Sequence, residues 1–271
     1  MKKIKISIIG CGSIGSFLAK FCDTEISKFT QVVSLYDLDA AKAKKLKEKL
    51  KKTVRIATSL KEAVNVCELV VEAASVDASY DIAKISIMSG KDMLSMSSGG
   101  FFDKSDIFKL AEKKSRKIYI PSGAIAGVDA VKAAAIGGIK SISLDTIKSP
   151  KSLEGAPYIL RKNINLASIT KRKIIFSGTV KEAVQNFPKN INVSATLFLA
   201  ASGFRNIKIR IIVDPKITGN VHKLSVQGSS GEFNTSVENA IFPDNPKTSY
   251  LAALSAASML KQIATSIRVG S

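Results

Sequence analysis

One histidine, three cysteines and no tryptophan stand among the 271 residues. A single histidine excludes a centre built on several imidazoles. Cys11, Cys22 and Cys67 are odd in number and never spaced CxxC, which argues against a disulfide framework and against structural zinc. No metal is expected. Acidic residues are scarce too, 22 against 41 Lys and Arg, for a formal charge of +19. No apolar run reaches the roughly 18 residues of a membrane-spanning helix, so no membrane partner is expected. The opening MKKIKISIIGCGSIG has a basic start and an apolar stretch, but glycines and polar residues interrupt it and no clean cleavage site follows. It reads as a cytoplasmic start.

What is present is ordinary for a folded chain: 45% hydrophobic and 23% charged residues, enough for one large core or two smaller ones. The positive charge is densest at 41–52, AKAKKLKEKLKK. Ala43, Leu46 and Leu50 fall at i, i+3 and i+7, which predicts one amphipathic helix with a basic outer face. No aromatic residue is interleaved for base stacking and no arginine is available to read base edges, so no dedicated nucleic-acid role is expected.

The first 120 residues alternate short apolar runs with helical patterns. Strands are predicted at 4–9, 31–36, 53–57, 69–73, 92–96 and 117–120. Helices are predicted at 13–22, 41–52, 59–66, 77–88 and 102–114, with Ser59 and Glu62 spaced as a capping box. Apolar strands alternating with helices imply a doubly wound parallel sheet of Rossmann type, covered on both faces. After Pro121 comes a small-residue helix at 127–137. Strand patterns follow at 141–147, 171–179, 206–214, 222–228 and 231–240, read as antiparallel with one solvated face. A buried helix is predicted at 192–201 and a long closing helix at 249–266. The fold class is therefore α/β: a dinucleotide-binding domain at 1–122, then an α+β substrate and dimerisation domain at 123–245. The helix within 246–271 is expected to pack back on the first domain.

Gly10-Cys11-Gly12-Ser13-Ile14-Gly15 spells GxGxxG between the first strand and the first helix, and Asp37 ends the next strand. In that context each residue has a job. Gly10 permits the tight turn, Gly12 lets the backbone approach a pyrophosphate, and Gly15 lets helix and strand pack closely. The helix N-terminus at Ser13 and Ile14 favours anions. Asp37 accepts from ribose hydroxyls and favours NAD, while Lys42, Lys44 and Lys45 keep NADP open. Cys11 is read as a small filler, although a thiol at a helix N-terminus is a redox candidate. Ser97, in the SSGG that follows the fifth strand, lies at the carboxyl edge of the sheet, where substrates bind.

Beyond the glycine loop, four segments stand out: PSGAIAG (121–127), FPKNINVSAT (187–196), Asp214-Pro215 with Asn220-Val221-His222, and Asn245-Pro246-Lys247-Thr248-Ser249 opening the last helix. Together with VVEAAS (70–75) they resemble the L-aspartate dehydrogenase family nearly end to end. The general plan is similar to homoserine dehydrogenase and dihydrodipicolinate reductase. The resemblance implies oxidation of L-aspartate to iminoaspartate with NAD or NADP, a link to NAD biosynthesis, and a homodimer. It implies that Ala124 touches the cofactor through its backbone, that Asn192 (with Asn190 as the alternative register) reaches the nicotinamide side, and that His222 is the active-site histidine.

The residues support His222 independently. Amine oxidation by hydride transfer needs a deprotonated amine, and histidine ordinarily titrates near neutral pH. His222 is placed at the start of a strand, where a side chain can reach a site at the nicotinamide end. Lys148, Lys247, Asp145 and Asp214 are the other candidates, and Lys247 also suits a substrate carboxylate. Another two-domain NAD(P) oxidoreductase, acting on a different small acid, stays open. A NAD(H)-sensing DNA binder is disfavoured because no helix-turn-helix or wing stands outside the sheets.

Overall fold

The computed structural model describes residues 2–188, 191–243 and 245–270, with only the backbone at 191 and 245–248. The chain divides into two compact units, 1–121 with 253–269, and 122–252 with 270–271.

The first unit begins β1 (Ile4–Ile9), α1 (Ser13–Asp23), β2 (Thr30–Tyr36), α2 (Ala40–Lys47), β3 (Arg55–Ile56) and α3 (Leu60–Asn65). It continues β4 (Leu69–Glu72), α4 (Val76–Met88), β5 (Asp92–Ser95), α5 (Ser105–Lys113) and β6 (Ile118–Tyr119). The six strands are parallel in the order β3-β2-β1-β4-β5-β6, the doubly wound arrangement that reverses direction between β1 and β4. All four residues of β4 are buried, as expected of a strand with helices on both faces.

The second unit holds α6 (Val128–Gly137), β7 (Ile139–Lys148), α7 (Pro150–Leu153), α8 (Pro157–Arg161), β8 (Lys173–Gly178), α9 (Val180–Asn186) and α10 (Ile191–Ala200). Then come β9 (Ile207–Val213), β10 (Asn220–Gly228), β11 (Gly231–Asn239), β12 (Ile241–Phe242) and β13 (Asn245–Ser249). Its main sheet runs β11-β10-β7-β9-β8. The last helix, α11 (Tyr250–Ala264), places Ala256, Ala257 and Leu260 in one buried cluster with Ile6, Leu18 and Leu94 of the first unit. Leu260 is fully buried there, and truncating it to alanine would cost about 2–5 kcal/mol.

Five local expectations need correction. The lysine-rich helix stops at Lys47 rather than 52. Lysines on successive turns repel one another. The chain leaves the helix through i→i−3 bonds from Lys49 and Leu50, and the buried Asp23 carboxylate captures the Lys51 N–H at 2.5 Å. Only half of the capping box forms: Ser59 accepts from the Glu62 N–H, while Glu62 turns to the N–H and hydroxyl of Thr58. The helix expected from 102 starts at Ser105, because 98–101 form a 3-10 turn and Asp103 has φ +57°. The second sheet is mixed rather than antiparallel, since β7 and β9 pair in parallel. The connection between them carries helices and is long enough for such a crossover. Finally, Asn245 to Ser249 do not open the last helix; they form β13, paired with β12.

Candidate active site

β1 delivers the glycine loop to the carboxyl edge of the parallel sheet. Gly10 has φ +92°, and a Cβ there would run into the Ala73 carbonyl. A Cβ on Gly15 would run into the Gly10 carbonyl, so α1 lies against the turn only because both residues are glycine. Gly12 differs: a Cβ there would meet nothing within 4 Å. It caps α1 without a side-chain hydrogen bond, and the first turn of α1 contains no acid. The leading N–H groups, Ser13 and Ile14 among them, thus lack intrahelical acceptors and carry the positive end of the helix beside this open space. A pyrophosphate fits that cradle in charge, and the backbone at Gly12 is open to its approach.

Asp37 stands just beyond β2, half-buried. Its Oδ2 accepts from the Cys11 N–H at 2.7 Å and its Oδ1 from the Asp39 N–H at 2.9 Å. A carboxylate has about four acceptor positions, so capacity remains for ribose hydroxyls. Lys42 lies 3.8 Å from Asp39 Oδ2. Burial, and then the Asp37 charge, push the Cys11 thiol up to about 12. The helix N-terminus does not make it a thiolate, and redox sensitivity is not what this position provides.

Ser97 lies further along the same sheet edge, but its side chain turns inward. Its hydroxyl donates to Glu72 Oε1 at 2.8 Å and its N–H to Glu72 Oε2 at 3.1 Å. Glu72 also accepts from the Ala74 N–H at 2.8 Å and the Ser95 hydroxyl at 2.5 Å. Glu72 is 0% exposed, and burial raises its pKa against these four donors. The contacts of Ser97 therefore shape the loop rather than offer a hydroxyl to substrate. Sequence reasoning gave Glu72 no role. The available signal was a lone acid inside the otherwise apolar LVVEA.

In the second unit, His222 is the third residue of β10 rather than its first. It is 4% exposed and pairs across the ladder with Thr146 of β7; Thr146 Oγ1 lies 3.1 Å from Nδ1. Burial, with the nearby Lys148 charge second, pushes the imidazole down to about 3. Titration near neutral pH, expected from the sequence, is thus displaced: the ring stays neutral. Lys148, two residues beyond Thr146 on the same face, is 9% exposed, and burial pushes its ammonium down to about 8. The face changes character along its length, from Ile142, Leu144, Leu224 and Val226 to Thr146, Lys148 and His222. Titratable groups with displaced pKa values, buried together at one end of an apolar face, make that end the candidate site. Asn239 of β11 stands at the same end, opposite Asn220.

Ala124 is buried, and its carbonyl accepts from Asn239 Nδ2 at 3.1 Å. Among the described residues, Asn239 Oδ1 is buried without a hydrogen-bond partner, an acceptor left beside the Ala124 backbone. Asn192 is exposed in the first turn of α10. Asn190 lies outside the described residues, as does the side chain of Lys247, whose backbone is in β13. Asp145 and Asp214 are committed elsewhere. Asp145 binds Arg210 through two bonds of 2.5 and 2.7 Å, and Asp214 turns to the Lys216 N–H at 2.9 Å. Among the described residues, no group of three or more His, Cys, Asp or Glu is placed to hold a metal.

Comparison with known proteins gives these residues a context. Residues 10–121 match the family model for the NAD binding domain of homoserine dehydrogenase, and residues 129–263 match that for the C-terminal region of aspartate dehydrogenase. The chain is 43% identical over 270 residues to the L-aspartate dehydrogenase of Methanococcoides burtonii, covering 98% of this chain and 99% of the relative. It is 41% identical to that of Methanosarcina mazei over 271 residues with the same coverage. The crystal structure of aspartate dehydrogenase from Thermotoga maritima shares the fold, with a TM-score of 0.75 at 24% identity, covering 99% of this chain and all of that one. A homoserine dehydrogenase from Thiobacillus denitrificans shares it more loosely, with a TM-score of 0.62 at 14% identity over 97% of this chain and 74% of its own. An unbroken likeness at this identity, spanning both units, means that the chain belongs to the L-aspartate dehydrogenase family.

Proposed function

We propose that the protein oxidises L-aspartate to iminoaspartate, which hydrolyses to oxaloacetate and ammonia or enters NAD biosynthesis. The observation that carries this reading is the match, along 98% of the chain, to relatives named L-aspartate dehydrogenase. NAD or NADP, when bound, would supply the hydride acceptor. Gly10, Gly12, Ser13, Ile14 and Gly15 would hold its pyrophosphate and Asp37 its adenosine ribose, and the Ala124 backbone and Asn192 are the residues proposed for its nicotinamide side.

The residues of the second unit manage the proton. Aspartate arrives with an ammonium group, which must lose a proton before its nitrogen can form the C=N bond as hydride leaves. In the tautomer that donates Nδ1–H to Thr146, His222 presents the Nε2 lone pair. A neutral, desolvated imidazole is a weak base alone. The negative charge of an arriving dicarboxylate stabilises the imidazolium and raises that basicity. The proton then passes to water, so each turnover releases iminoaspartate, reduced cofactor and one proton.

Family membership supports a cytoplasmic homodimer, which sedimentation at micromolar concentration would test. Substrate is tested by a panel of amino acids with cofactor reduction followed by absorbance. Aspartate is expected to exceed glutamate, alanine and homoserine by well over tenfold in kcat/KM, since a site built around two carboxylates rejects a longer chain or a missing charge. Comparable values for homoserine or glutamate would move the protein to another two-domain oxidoreductase.

A further inference from the structure

The ammonium of Lys148 has no counter-ion among the described residues. Asp145 and Asp214 are both turned away. Asp145, on the same strand, projects to the opposite face and is held by Arg210. Asp214, whose N–H donates to the Lys148 carbonyl at 2.9 Å, spends its carboxylate on the Lys216 backbone. Glu238 of β11 pairs with Val221, so it too lies on the other face. Among the described residues, the titratable group on the same face beside Lys148 is His222, whose imidazole burial keeps neutral. A lysine usually carries its charge to water along a flexible stem. Lys148 is instead 9% exposed at the end of a central strand. Burying an unpaired cation is unfavourable, and the described residues supply no acid to offset this one.

The cation's position says what that partner is. Lys148 and His222 share one end of one sheet face, on neighbouring strands. A substrate nitrogen at His222 places the rest of a four-carbon amino acid within reach of Lys148 on that face. We infer that the Lys148 ammonium is the counter-ion of one carboxylate of the substrate, binding a small dicarboxylate beside His222. This inference rests on the aspartate reading and deepens it by naming a carboxylate-binding residue. It also explains how a neutral imidazole and a cation can sit together. The anion that neutralises Lys148 removes the charge that opposes protonation of His222.

The experiment is a steady-state comparison of wild type, Lys148→Met and Lys148→Arg, with succinate, a dicarboxylate lacking the amine, as competitive inhibitor. Lys148→Met removes a buried charge and keeps the stem, so it should fold; cofactor affinity by fluorescence titration checks this. The expected result is a rise of about tenfold or more in both the aspartate KM and the succinate Ki, a smaller change in kcat, unchanged cofactor affinity, and partial recovery in Lys148→Arg. Wild-type protein that turns over aspartate, together with Lys148→Met values of KM and Ki within twofold of it, overturns the inference and leaves the aspartate reading standing. A fall in kcat with KM and Ki unchanged also overturns it, because the ammonium would then serve the chemical step. Wild-type protein that oxidises no aspartate overturns both.

Discussion

Thr146 and His222 face one another across the antiparallel pairing of β7 and β10, with Oγ1 3.1 Å from Nδ1. That contact is local to two strands, yet it sets which ring nitrogen is left for substrate. Thr146→Val keeps the shape and removes the acceptor. The variant should fold, lose about 1 kcal/mol of stability, and lose kcat at nearly constant KM. Steady-state kinetics beside a denaturant curve measure both. A Thr146→Val enzyme with wild-type kcat would mean that the ring needs no fixing.

His222→Ala should lower kcat by roughly 10²–10⁴, the usual share of acid–base catalysis. Its affinity for NAD should stay near wild type, since the glycine loop belongs to the other unit. Retention of more than about a tenth of kcat in a folded, NAD-binding variant would reduce His222 to a packing residue.

The same burial makes a stability prediction. His222 titrates at about 3 when folded, against an ordinary value of 6.5. Between those values the unfolded chain binds the extra proton. The contribution is complete above pH 6.5 and is lost as pH falls toward 3, at up to about 1.4 kcal/mol per pH unit. Lys148 acts over a higher window: with 10.5 unfolded and about 8 folded, its destabilising effect is full below pH 8 and relieved as pH rises to 10.5. Denaturant midpoints of His222→Leu should fall less steeply than wild type from pH 6.5 to 4. Those of Lys148→Met should exceed wild type at pH 7 and converge on it near pH 10.5. Parallel curves would mean that neither group is buried as described.

Asp37→Ala should weaken NAD and shift preference toward NADP by about 1–2 kcal/mol, the scale of a charged hydrogen bond. Dissociation constants for both cofactors give the answer, and an unmoved ratio would remove Asp37 from the ribose.

Gly12 and Gly15 should fail in opposite ways. Gly12→Val puts a side chain into open space and is expected to abolish cofactor binding at nearly unchanged melting temperature. Gly15→Ala forces α1 away from the Gly10 carbonyl and should lower the melting temperature by several degrees. Thermal scans with and without NAD separate the two.

The parallel sheet was legible because its strands, buried on both faces, are written as apolar runs with few polar interruptions, such as ISII and LVV. The glycine loop was legible because its spacing is imposed by close backbone contacts. Less could be read where pairing is not local. Nothing in the periodicity of NIKIRIIVD says that it lies parallel to SISLDTI, and that adjacency is settled by which long crossover fits. The chemistry of His222 was misjudged for a similar reason. Its usual basicity is a property of the residue in water, whereas burial and Lys148 are brought to it by a strand far away in sequence. Lys148 stood among several candidates in the sequence, and its burial sets it apart from them.

The first unit is not contiguous in the chain: its buried cluster contains Ala256, Ala257 and Leu260 from the last helix. While the protein is being made, the six-stranded sheet is available early but keeps an uncovered apolar surface until nearly every later residue has been added. The second unit, apart from residues 270–271, is one stretch from 122 to 252. A fragment ending before α11 would carry the whole glycine loop but lack Ala256, Ala257 and Leu260 from the buried cluster.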